Sequence, residues 1–122
     1  MASILIVEDD KFVRDLYQHE FEKSGYDIKV AEDGEIALKA VKESKLDCIL
    51  LDVMLPKLDG LEVLRRVKGD SATKNIPVMI LSNLGQDEII RQALQIGAKA
   101  YIVKSLYTPS QVVNEIRGLI GD

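Results

Sequence analysis

Strand-like and helix-like segments alternate five times along the chain, and this alternation constrains the fold more than any other feature. "ILIV" (4–7), "CILL" (48–51) and "PVMILS" (77–82) are continuous apolar runs, the pattern of strands buried on both faces. "DIKVA" (27–31) alternates polar and apolar and is expected at a sheet edge, and "AYIV" (100–103) reads as the last strand. Between them lie segments of helical periodicity. Residues 11–25 carry Phe12, Val13, Leu16, Tyr17 and Phe21, with Gly25 as a stop. Residues 34–44 follow Asp33 as cap, 60–69 follow Asp59, and 86–97 place Ile89, Ile90, Ala93 and Leu94 on one face. In residues 108–120, Thr108 is the N-cap, Pro109 the first helical residue and Gln111 the capping-box partner. Five strand–helix pairs imply an α/β fold with a parallel sheet, and right-handed crossovers put helices on both of its faces. No linker or repeat interrupts the pattern, so residues 1–122 are expected to form one domain.

Composition excludes several classes of function. With a net charge of −4 the chain has no basic footprint for nucleic acid and no polybasic patch for a membrane surface. One cysteine, Cys48, and one histidine, His19, build neither a disulfide nor a zinc site. Cys48 is expected in the core and His19 on a helix surface. No apolar run approaches the ~18–20 residues of a membrane span, and the start, "MASILIVEDD", meets acid too early for a signal peptide. A cytoplasmic location is the expectation.

The residues that end the strands carry the chemistry. Open parallel sheets build sites at the carboxyl ends of their strands. There the chain places Glu8, Asp9 and Asp10, then Asp52, then Ser82 and Asn83, then Lys104. Asp10 is expected to be only a helix cap. Two carboxylates ~4 Å apart repel by about 1 kcal/mol in water and about 4 kcal/mol at an intermediate dielectric, and a cation resolves this. Oxygen donors without His or Cys favour magnesium, with manganese as its substitute. A carboxylate can act as a nucleophile towards phosphorus, and a lysine, a hydroxyl and a metal together would neutralise a phosphoryl group. The plainer alternative is an ion pair between Asp52 and Lys104, with Glu8 and Asp9 solvated. No glycine-rich phosphate loop is present.

"ILIVEDD", "ILLDVMLPKLDG", "VMILSN" and "GAKAYIVK", in this order and spacing, resemble the receiver domain of two-component response regulators over nearly the whole chain. The resemblance implies a flavodoxin-like, doubly wound sheet of order 2-1-3-4-5. It implies Asp52 as phosphoacceptor, with Asp9 and the backbone carbonyl of Met54 on the metal and Glu8 assisting through water. Ser82 then reads the phosphoryl group, Lys104 is the pattern's lysine, and Tyr101 is an aromatic that reports the state of the site. It implies a histidine kinase or phosphotransfer protein as donor, and a downstream protein partner on the face of residues 86–120. The implied state is a monomer or a weak phosphorylation-dependent dimer, not a turnover enzyme. With nothing after Asp122, a stand-alone or excised domain is expected.

Several residues depart from the family's pattern. Ser105 follows the lysine where proline is usual. A cis bond before a non-proline residue costs ~2.5–4 kcal/mol, so a trans Lys104–Ser105 peptide and a rearranged loop before Thr108 are expected. Asn83 stands at a position that favours small residues. Met54 and Leu84 flank the approach of an attacking water and cannot orient it, which implies slow self-dephosphorylation. "AKAY" lacks the acids of one known dimer. A phosphatase with an aspartate nucleophile would want a second Asp at position 54, which is Met. A receiver-like domain that no longer takes phosphate is the remaining alternative.

Overall fold

A computed structural model describes residues 1–121. The elements are β1 (Ser3–Val7), α1 (Lys11–Lys23), β2 (Asp27–Ala31), α2 (Gly34–Glu43), β3 (Cys48–Leu51), α3 (Gly60–Gly69), β4 (Val78–Ser82), α4 (Asp87–Ile96), β5 (Ala100–Val103) and α5 (Pro109–Ile120). The strands form one parallel sheet in the order β2-β1-β3-β4-β5.

The apolar runs explain two cores. Side chains alternate across a strand, so a run that is apolar throughout feeds both faces. Leu5, Val7, Ile49, Leu51, Val78 and Ile80 pack on one face with Ala37, Val41, Val63, Leu64, Val67 and Ala93 of α2, α3 and α4. Ile4, Ile6, Cys48, Leu50, Met79 and Leu81 pack on the other with Tyr17, Phe21, Val112, Val113 and Ile116 of α1 and α5. Each fully buried Leu or Ile contributes about 1.5–3 kcal/mol over its exposed state.

The expected caps are formed. Asp10, Asp33 and Asp59 accept from the main-chain N–H groups of Val13, Ile36 and Glu62, and Thr108 and Gln111 make a full capping box. Gly25 follows α1 at φ +96°, a conformation that glycine takes without strain. β2 is an edge strand, as its alternation implied.

β5 is the other edge, as the order 2-1-3-4-5 requires, and only Ile102 in it is buried. One expectation needs correction. In α1 the buried stripe is Val13–Tyr17–Phe21, whereas Phe12 is 79% and Leu16 45% exposed. The 12–16 row is rotated about 100° from that stripe and faces outward. Among the described residues no helix is long and apolar enough to cross a membrane.

Candidate functional site

The acids and the lysine meet because of strand register. Val7 lies beside Leu51, so the residues that follow them, Glu8 and Asp52, leave the sheet side by side. β1 and β3 are where the connections turn to opposite sides, the position at which parallel sheets open a crevice. Ser82 is paired with Val103, which brings Lys104 to the same rim.

Main-chain contacts make the rim rigid. The Asp52 N–H donates to Val7 O at 3.1 Å, and Asp52 Oδ1 accepts from Met54 N–H at 3.1 Å. Gly60 opens α3 against the Asp52 carbonyl so closely that a Cβ would stand 2.0 Å from that oxygen. Glu8 N–H donates to Ala31 O, and Glu8 Oε2 accepts from Asp10 N–H. Arg14, which the sequence reading passed over, donates from one guanidinium nitrogen to the carbonyls of both Glu8 and Asp9. A basic residue in the first turn of the helix that follows the acids was the available signal.

Glu8 is 5% and Asp52 7% exposed, while Asp9 faces solvent. Lys104 Nζ donates to Glu8 Oε1 and, at 2.9 Å, to Asp52 Oδ2. Glu8 is therefore not solvated, as a simple Asp52–Lys104 pair would have left it. Burial pushes the Glu8 carboxyl above its ordinary value, against the pull of Lys104. Burial alone would lower the Lys104 ammonium, but Glu8 and Asp52 outweigh it and hold its pKa above the ordinary value. Tyr17, buried on α1, feels both Lys104 and Glu8 and was also not foreseen; burial raises its hydroxyl.

Glu8, Asp9 and Asp52 each bring a carboxylate oxygen within 4.8 Å of the other two. Three hard oxygen donors with one lysine between two of them leave negative charge in excess, which suits a hard divalent cation. Met54, 59% exposed, borders an open depression of about 460 Å³ with Asp9, Val53, Leu55, Pro56 and Asp59. A depression of about 550 Å³ at the opposite end, lined by Met1, Ala2, Asp47 and Pro77, gathers no comparable set of groups.

On the other side of Asp52, Ser82 is fully buried and its Oγ accepts from Leu84 N–H at 3.2 Å. Tyr101 is half-buried, its hydroxyl donates to Leu84 O, and burial raises its pKa. Asn83 is exposed between them. Among the described residues no peptide bond is cis, so Lys104–Ser105 is trans, and Lys104–Leu106 form a 3₁₀ turn that leads to Thr108.

Comparisons with known proteins point to one family. A family model described as the response regulator receiver domain matches residues 4–117. The alkaline phosphatase synthesis transcriptional regulatory protein PhoP of Bacillus subtilis is 36% identical over 96% of this chain and 48% of its own length. The DNA-binding dual master transcriptional regulator RpaA of Synechocystis is 36% identical over 98% of this chain and 49% of its own length. The chain thus spans about half the length of these curated relatives. Among solved structures, the Francisella response regulator 1452 receiver domain superposes with a TM-score of 0.91 at 30% identity, covering 99% of this chain and 98% of that one.

Proposed function

The chain belongs to the response regulator receiver domain family, the phosphorylation-dependent signalling module of two-component systems, and on that premise we propose that Asp52 is its phosphoacceptor. The observation that carries the proposal is the ammonium of Lys104 bridging Glu8 and Asp52 in a cluster of three carboxylates at the sheet's switch point. A carboxylate oxygen of Asp52 attacks the phosphorus of a phosphohistidine on a histidine kinase or phosphotransfer protein. The P–N bond breaks, its electron pair returns to the imidazole, and that nitrogen takes a proton from solvent.

Each neighbour has a role in that step. Lys104, 2.9 Å from Asp52, offsets the charge of the phosphoryl oxygens. Ser82 Oγ accepts from Leu84 N–H, which leaves its own proton free to donate to a phosphoryl oxygen. Asp9, Asp52 and the carbonyl of Met54 would hold magnesium, or manganese in its place, with Glu8 assisting through water. The bound ion would neutralise the carboxylates and the incoming phosphoryl group.

Ser82 and Tyr101 both bind Leu84, so a hydroxyl drawn towards phosphate at Ser82 changes a segment that Tyr101 also holds. This gives a route from the site to the face of residues 86–120, where Leu94 and Leu106 are exposed. That face is proposed to bind a protein partner, with the domain acting in the cytoplasm as a monomer or a weak phosphorylation-dependent dimer. One longer relative is named as DNA-binding, but for this chain, with its net charge of −4, no nucleic-acid contact is proposed. The family is a signalling module and not a classical turnover enzyme. Self-dephosphorylation is proposed to be slow, since Met54 and Leu84 offer no side-chain polar group to orient water.

The test is intact mass after incubation with magnesium and acetyl phosphate, beside Asp52→Asn. One magnesium-dependent phosphoryl group, lost in the variant, is expected. No gain in the wild type would refute the phosphoacceptor reading and favour a domain that works without phosphate.

A further inference from the structure

We infer that Arg14 is a positioning residue that holds the main-chain turn carrying Asp9, and with it the direction in which the Asp9 side chain leaves the chain, and thereby sets divalent-cation affinity. The inference rests on the metal-assisted reading of the site given above. Arg14 Nη1 donates to Glu8 O at 3.0 Å and to Asp9 O at 3.3 Å. The first carbonyl belongs to the peptide before the Asp9 Cα, and the second to the peptide after it. Peptide units are planar, so a donor shared by the two that flank a Cα restrains its two soft dihedrals and with them the direction of its Cβ. Asp9 needs this more than its neighbours do. Glu8 is buried and bound by Lys104, and Asp52 is held at the end of a central strand, but Asp9 faces solvent.

The rest of the turn is anchored from its ends. Glu8 N–H is held by Ala31 O, Asp10 N–H by the Glu8 carboxylate, and the Asp10 carbonyl accepts from Arg14 N–H at 2.9 Å. The guanidinium supplies the contacts in between. Among the described residues Arg14 forms no ion pair with a carboxylate, so its polar contacts there are spent on these two carbonyls.

Charge and geometry predict opposite signs, which makes the inference sharp. A guanidinium near a cation site repels the cation, so if charge were its only influence, removing it would tighten binding. If it positions Asp9, removing it weakens binding, by about tenfold, as for other groups that orient a metal ligand. One nitrogen serves both carbonyls, so a lysine ammonium with three donors can stand in for it.

The experiment is calorimetric titration of magnesium chloride into the wild type, R14M and R14K at fixed ionic strength, with urea midpoints measured in parallel. R14M is expected to bind magnesium about tenfold more weakly, and R14K to stay within about threefold of the wild type. Equal or tighter binding by R14M overturns the inference, as does a lowered urea midpoint with unchanged affinity. If R14M does not fold, the neutral R14Q takes its place under the same criteria. A wild type that binds no magnesium would instead overturn the reading of the site itself, and this inference with it.

Discussion

Replacing Lys104 with methionine keeps most of the apolar stem and removes the charge that Glu8 and Asp52 share. The side chains of Lys104, Glu8 and Asp52 are 13%, 6% and 9% exposed, so this is a nearly buried triad. At an effective dielectric near 20, one unit pair at 2.9 Å is worth about 6 kcal/mol before desolvation is counted. Removing one partner of such a group typically costs 3–5 kcal/mol, because the remaining charge stays buried and unpaired. Two carboxylates are left here, but Glu8 can take up a proton and relieve part of the penalty, so about 3 kcal/mol is expected at pH 7.5 without divalent ions. For a domain of this size that corresponds to a melting temperature about 12 °C lower.

The loss has a pH signature. Burial already raises Glu8 from its ordinary 4.5, and without Lys104 it rises further. A carboxyl raised in the folded state holds a proton there that the unfolded chain has given up. The K104M penalty is therefore smallest near pH 4.5 and grows with pH until Glu8 ionises in the folded protein. Magnesium supplies a second remedy for the same repulsion, so it should stabilise K104M more than the wild type. Urea unfolding followed by circular dichroism, at pH 5 and 8 and with EDTA or magnesium, measures all of this. A K104M stability within about 0.5 kcal/mol of the wild type in EDTA, or a deficit that neither acid nor magnesium reduces, would refute the reasoning.

Other predictions concern separate parts of the molecule. Folded Lys104 titrates above 10.5, so the stability its charge contributes is complete below that value and lost as pH rises through the folded pKa; an alkaline urea series should show this in the wild type and not in K104M. Gly60→Ala drives a Cβ into the Asp52 carbonyl and should cost more than about 3 kcal/mol, whereas Gly118→Ala meets nothing within 4 Å in a helix and should gain about 0.5–1 kcal/mol, both read from denaturation midpoints. Met54→Asn or Leu84→Glu should speed decay of the phosphorylated form, timed by intact mass after the phosphodonor is removed, and an unchanged decay rate would refute the reading of those two positions.

The elements themselves were legible in local sequence. Continuous apolar runs marked β1, β3 and β4, alternation marked β2, and Asp10, Asp33, Asp59 and Thr108 marked helix starts. Those signals lie within a few residues of what they determine, so periodicity and capping chemistry suffice to read them. The strand order came from resemblance, because nothing local says which strand lies beside which. Tertiary structure decided the rest. Lys104 meets Glu8 across 96 residues and Asp52 across 52, through the pairings Val7–Leu51 and Ser82–Val103. The same applies to burial. Phe12 and Leu16 are as apolar as the core residues but face outward, because helix phase is set by what packs against it. A basic residue after the acids is visible in the sequence, but the role of Arg14 was not: its partners are main-chain carbonyls, which every sequence has and which only a folded turn aims at a particular side chain.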